Sequence, residues 1–183
     1  ILSKDVSERY IYIPDSANFS TVIKILSEEG LLIDKNSFEW LATQKKYTNI
    51  KSGRYRITAD LNNNELINLL RLGDQTPVMV TFNNLRTKEQ LVGIIASQLE
   101  VDSVTLLSYI TDTAFQKRLG LTNDNVISIF IPNSYEFYWN TSAKRFMQGM
   151  QKEYEAFWSV DRKIKAKKIK LTPLEVVTLA SIV

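Results

Sequence analysis

The sequence predicts an α+β fold: two consecutive small strand-helix-helix-strand modules, followed by the first helices of a further domain. Three observations carry that expectation. Short β-patterned runs at residues 9–14 and 50–57 bracket two helical stripes. A similar set of elements follows in the same order at an offset of 68 to 69 residues, and beyond Thr141 the apolar spacing is helical.

In the first run, RYIYIP, Tyr10 and Tyr12 alternate with Ile11 and Ile13 before a turn at Asp15. A helix capped by Asn18 or Ser20 follows, with Val22, Ile25 and Leu26 as its stripe and Gly30 past its end. Asp34 or Asn36 caps a second helix whose inward residues are expected to be Phe38, Trp40 and Leu41, and IKSGRYRI returns as a strand after a Ser-Gly turn. Residues 59–73 form a connecting helix on Leu66, Leu69 and Leu70, ended by Gly73. The second set opens with Val78, Val80 and Phe82 as a strand. A helix capped by Thr87 comes next, with Gln90 as its capping-box partner and Leu91, Ile94 and Ile95 as its stripe. Another helix runs from Asp102 through Leu106, Leu107 and Ile110, and VISIFIPNSYEFYW reads as strand broken at Pro132 and Asn133.

From Thr141 a long helix carries Phe146, Met150, Tyr154, Phe157 and Trp158 at spacings of three and four. The closing LTPLEVVTLASIV has Thr172 as N-cap, Pro173 at the first helical position and Glu175 completing a capping box. Its remaining residues are apolar nearly all round, the pattern of a helix buried in a larger core, so the chain is expected to be a fragment of a longer protein. The start at Ile1 suggests a trimmed or processed product, and any targeting or membrane segment is expected to lie outside residues 1–183.

Of the 183 residues 44% are apolar and 23% charged, the profile of a folded chain. A chain of this length removes roughly 70% of its unfolded surface from water, so its core needs no disulfide or metal. There is no cysteine and no histidine, which removes Ser-His-Asp and Cys-His nucleophilic chemistry and the usual zinc sites. Carboxylates, Lys, Arg, Tyr, Ser, Thr or an oxygen-ligated metal remain for chemistry. No phosphate-binding glycine motif and no EF-hand loop occurs.

The net charge of +3 is local in origin: residues 144–170 hold nine Lys and Arg against three Asp and Glu. Within them Arg162, Lys163, Lys165, Lys167, Lys168 and Lys170 form a run that could meet an anionic surface or polymer, or could be a solvated helix end. No aromatic residue interleaves the run, which disfavours single-stranded nucleic acid. The cluster Tyr135, Glu136, Tyr138 and Trp139, with Phe137 among them, could stack on sugar faces or be a half-buried strand with its rings in the core. Glu175 stands beside apolar neighbours, but its capping role accounts for it.

LTPLEVVTLASIV resembles the segment that leads into the active site of the YceG-like family, the endolytic murein transglycosylases, where a similar helix is followed at once by the catalytic glutamate. IFIPNSYEF resembles that family's F-L-F-P-D-T-Y-x-F segment, with Asn133 where an acid is usual and Ser134 where Thr is usual. Residues 8–58 are similar to its N-terminal LysM-like module, including the IKSGRYRI ending. The resemblance implies a LysM-like glycan-binding module at 1–58, a second α+β module at 59–140 and the start of a transglycosylase domain at 141–183.

What it implies for function is a bacterial envelope enzyme that cuts the bond between N-acetylmuramic acid and N-acetylglucosamine inside nascent peptidoglycan strands. A glutamic acid protonates the glycosidic oxygen, and its carboxylate then helps the muramyl 6-hydroxyl attack the anomeric carbon, leaving a 1,6-anhydro end. One carboxyl group serves as acid and base because the internal hydroxyl replaces water. No cofactor and no metal are needed. The catalytic glutamate is expected immediately after Val183, so residues 1–183 are expected to have no lytic activity alone. The implied partners are peptidoglycan strands and the cell-wall synthesis machinery, not nucleic acid. The implied location is the inner membrane, through an N-terminal anchor outside the chain, with residues 1–183 in the periplasm. A non-catalytic LysM-like binding or scaffold module is the rival reading. Aminodeoxychorismate lyase chemistry would need a pyridoxal phosphate lysine and a phosphate site that the sequence does not suggest.

Overall fold

The computed structural model describes residues 8–83 and 85–181. The described residues of Ile1–Val78 and Glu136–Asn140 form one compact unit, and those of Met79–Tyr135 and Thr141–Val183 a second.

In the first unit strand β1 (Glu8–Ile13) pairs antiparallel with β2 (Gly53–Thr58), in a register that sets Ile11 opposite Tyr55 and Tyr12 opposite Arg54. Alternation along both strands sends Ile11, Ile13, Tyr55 and Ile57 into the core and leaves Tyr10, Tyr12, Arg54 and Arg56 on the outer face. Helices α1 (Phe19–Glu28), α2 (Lys35–Gln44) and α3 (Asn63–Leu72) complete the unit. Each start is fixed by a side chain accepting from backbone N–H groups: Asn18, Asp34 and Asn62. Val22, Leu26, Phe38, Ala42, Ile67 and Leu70 meet over the inner sheet face, each fully buried large side chain contributing about 1.5–3 kcal/mol. Trp40 corrects the expected inward set, being 66% exposed. It stands two residues from Phe38, and residues so spaced cannot share a helix face.

The other elements are β3 (Val78–Phe82), α4 (Lys88–Ala96), α5 (Ser103–Ile110), α6 (Thr113–Arg118), a short 3-10 helix (Val126–Ile129), β4 (Asn133–Phe137), α7 (Ala143–Phe157), α8 (Val160–Lys168) and α9 (Pro173–Ala180). β3 pairs with β4 as a second two-stranded sheet, so a second strand pair does follow, but α6 and the 3-10 helix stand with α4 and α5 between its strands where two helices were expected. Within the second unit Phe82 stacks on Tyr135 at 5.4 Å and Phe130 on Phe146 at 6.4 Å, joined by Leu91, Ile95, Leu106, Ile110 and Met150.

Three expectations are corrected here. Helix α6 has no counterpart in the sequence reading; Asp112 caps it, and the Gln116 amide, itself buried, ties it back by donating to the Ile110 carbonyl at 2.9 Å. The strand expected from Val126 begins only at Asn133, because Val126–Ile129 coils into one 3-10 turn with Val126 and Ile129 buried. At α4, Thr87 caps as expected, but the Gln90 side chain accepts from the Arg86 N–H instead of closing a box on Thr87. No helix among the described residues is long and apolar enough to cross a membrane.

Candidate functional site

The four aromatic-segment candidates part at the end of β4: alternation turns Tyr135 inward and Glu136 outward, while Tyr138 and Trp139 lie beyond the strand. Tyr135 is 7% exposed, packed on Phe82, with its hydroxyl donating to the Ile131 carbonyl at 2.5 Å, and burial pushes its ionisation upward. It is a core residue of the second unit. Glu136, Tyr138 and Trp139 belong to the first unit, where Glu136 and Tyr138 are exposed and Trp139 is half-buried.

Trp139 meets Tyr12 edge to face, with ring centroids 5.1 Å apart. Next to Trp139, the Asn140 amide donates to the Ser52 hydroxyl at 2.7 Å, and the Ser52 hydroxyl donates to Asp15. Thus the turn after β1, the turn before β2 and the segment after β4 bring two rings and three hydrogen-bonding side chains together within the first unit. Gly53 makes that turn possible: its φ of 143° suits glycine, and a Cβ there would run into the Gln75 side chain.

Along the same outer sheet face the Arg54 guanidinium lies 3.7 Å from the Tyr10 ring centre and donates to the Pro77 carbonyl at 2.6 Å. Arg56 pairs with Glu8 at 3.0 Å, and a hydrogen bond from Tyr10, with the charge and hydrogen bond of Arg56 and the charge of Arg54, holds the Glu8 carboxyl below its usual range. An indole and a phenol ring with one edge lined by Asp15, Ser52 and Asn140 can take the apolar face of a pyranose while bonding its hydroxyl or acetamido groups. Tyr12, Asp15, Ser52 and Asn140 were not singled out from the sequence as site residues. The signal for Tyr12 was present in the Tyr-Ile-Tyr-Ile alternation, which requires both tyrosines to leave the core.

The basic residues lie mostly on α8, whose only buried side chain is Ala166. They are not equivalent. The Arg162 guanidinium folds over the Phe157 ring at 4.0 Å and donates to the Phe157 carbonyl, and Lys165 pairs with Asp161 at 2.8 Å. Lys163, Lys167, Lys168 and Lys170 are exposed and make no ion pair among the described residues.

Glu175 accepts from the Thr172 N–H at 2.7 Å and from its hydroxyl at 2.8 Å, while the Glu175 N–H donates to the Thr172 hydroxyl. Backbone and side-chain bonds from Thr172 lower its pKa, which suits a cap and opposes service as a proton donor.

An α+β protein of two small strand pairs with helices between their strands, carrying a partly exposed ring pair beside polar side chains, is the class these features define. The model of the YceG-like family matches residues 11–183, and the chain belongs to that family. Its fold is similar to the 2.6 Å crystal structure of a YceG-like protein from Listeria monocytogenes, with a TM-score of 0.51 and 17% sequence identity. The match covers 91% of this chain and 60% of that one, so the chain spans about three-fifths of the Listeria protein's length. Among curated proteins no relative matches.

Proposed function

We propose that the chain is the upstream part of an endolytic murein lytic transglycosylase. In that reading the first unit holds peptidoglycan strands on Tyr12, Trp139 and the Asp15–Ser52–Asn140 edge. A glutamate directly after Val183 would supply the acid and base. The observation that carries the reading is the family match, which runs through the TPLEVVTLASIV segment that resembles the approach to the catalytic residue. Support for the glycan role comes from the ring pair at 5.1 Å and its polar edge, a geometry suited to a sugar's two kinds of surface.

The chemistry balances without water. The carboxylic acid gives its proton to the leaving glycosidic oxygen as the bond from the anomeric carbon breaks. The resulting carboxylate takes the proton of the muramyl 6-hydroxyl as its oxygen bonds to that carbon. The intramolecular nucleophile replaces a second reactant and its entropy cost. No histidine enters, in keeping with a sequence that has none.

Two measurements test the reading. The full-length protein, incubated with peptidoglycan, should release fragments with 1,6-anhydro-muramyl ends, and exchange of the glutamate after Val183 for glutamine should abolish them. Products with reducing ends only, or none, would refute the transglycosylase assignment and favour a non-catalytic binding module. Retention of the 183-residue chain on insoluble peptidoglycan should fall at least tenfold in Tyr12→Ala/Trp139→Ala, and unchanged retention would remove the ring pair from the account.

A further inference from the structure

Helix α8 carries an outward face that the folding of its unit leaves unexplained. At 100° per residue, Ala166 marks the side turned to the protein, and Arg162, one turn earlier, lies on the same side against Phe157. The opposite side holds Val160 and Ile164, four residues apart, 76% and 50% exposed. Lys163 and Lys167 line one flank of that pair, and Lys168 follows Ile164 by one turn. Lysines in the last turn do complement the helix dipole, which accounts for part of the charge. The dipole gives no reason for isoleucine and valine to stand in water among them.

We propose that this face of α8 is a peripheral docking surface for anionic phospholipid. Val160 and Ile164 enter the boundary between headgroups and acyl chains, while Lys163, Lys167 and Lys168 reach sideways along their methylene stems to the phosphates. Charge complementarity fixes the sign of the partner, because α8 has five basic residues against the single acid Asp161, which is already paired to Lys165. The apolar pair selects lipid over a hydrated polyanion such as glycan carboxylates, which would satisfy the lysines and leave both aliphatic side chains wet. The docking is independent of the transglycosylase reading and needs neither the ring pair nor a catalytic glutamate.

The test is co-sedimentation of the 183-residue chain with vesicles of phosphatidylglycerol and phosphatidylcholine, against vesicles of phosphatidylcholine alone. Binding is expected on the anionic vesicles only, and to weaken with added salt. Lys163→Gln/Lys167→Gln should weaken it about 25-fold, at about fivefold per lysine lost near the surface. Ile164→Ser, which leaves every charge in place, should weaken it about tenfold. These side chains are exposed, so the variants should keep the parent's circular dichroism and melting temperature, and Val160→Ser offers a second probe if one does not. Absent binding, equal binding to neutral vesicles, or anionic binding untouched by both Ile164→Ser and Val160→Ser would overturn the proposal. That last result, with parallel retention on a polyglutamate resin, would identify a polyanion surface instead.

Discussion

Gly53→Ala tests whether the turn before β2 is built on glycine for a physical reason. Gly53 has φ 143°, a region L-residues avoid, and holding alanine there costs about 1–3 kcal/mol. A Cβ would also stand within 2.6 Å of Gln75 Cγ and closer still to its outer atoms, and displacing that partly buried side chain adds about 1 kcal/mol. The total, about 3 kcal/mol, should lower the urea midpoint by about 1.5 M at a slope of about 2 kcal/mol/M. Unfolding is followed by tryptophan fluorescence, to which Trp40 and Trp139 of this unit contribute. Gln75→Ala in the same chain should return about 1 kcal/mol, by removing the collision and leaving the backbone strain. A Gly53→Ala midpoint within 0.2 M of the parent would refute the strain argument, and complete rescue by Gln75→Ala would assign the whole effect to collision. The turn also presents Ser52 to Asp15 and Asn140, so retention on peptidoglycan should fall with the same substitution.

Thr172→Ala should destabilise the start of α9 by about 1 kcal/mol, seen as faster amide exchange at Glu175, with Thr172→Ser close to the parent. Lys170 has φ 59° at the end of α8, so Lys170→Gly should raise stability by about 0.5–1 kcal/mol in the same urea assay, and a loss would refute that account. Burial pushes the Tyr55 hydroxyl up to about 12, from the usual 10. The folded state therefore holds this proton more tightly than the unfolded chain, so its contribution is intact below pH 10 and is lost as pH rises towards 12. Tyr55 alone should account for about 1.4 kcal/mol lost at pH 11 relative to pH 9, and Tyr55→Phe should remove that part of the pH dependence, leaving the further share from Tyr47, which burial also raises.

Local signals were legible where one residue decides the outcome. Thr87 and Thr172 cap the helices they were expected to cap, and Asn18 and Asp34 do so out of the pairs offered with Ser20 and Asn36, because a short oxygen-bearing side chain before an apolar stripe has few other uses. Alternation gave β1 and β2 their faces for the same reason. What escaped depended on tertiary partners. Helix α6 has six residues, too few to show a period, and is held partly by Gln116 reaching the Ile110 carbonyl. Val126 and Ile129 are spaced three apart in a run rich in β-branched residues, and only burial against their unit decides for a 3-10 turn over strand. The polar edge of the ring pair joins positions 15, 52 and 140, a separation at which sequence carries no pattern to read.

The carboxylates sort by what surrounds them, and that sorting constrains the proposed mechanism. A general acid must keep its proton near neutral pH, so its neutral form has to be favoured by burial or by a nearby negative charge. Glu175 has the reverse environment, an exposed carboxylate receiving two hydrogen bonds from Thr172, and both stabilise the charged form. Glu8 is held down by Tyr10 and Arg56, and Asp102 by the N–H and hydroxyl of Thr105. Each of these groups begins a helix or ties a sheet face, and each is ionised when it does so. The acid in the proposed reaction must therefore be a carboxyl with none of these donors around it. In that reading Glu175 secures the first turn of the helix that leads towards it.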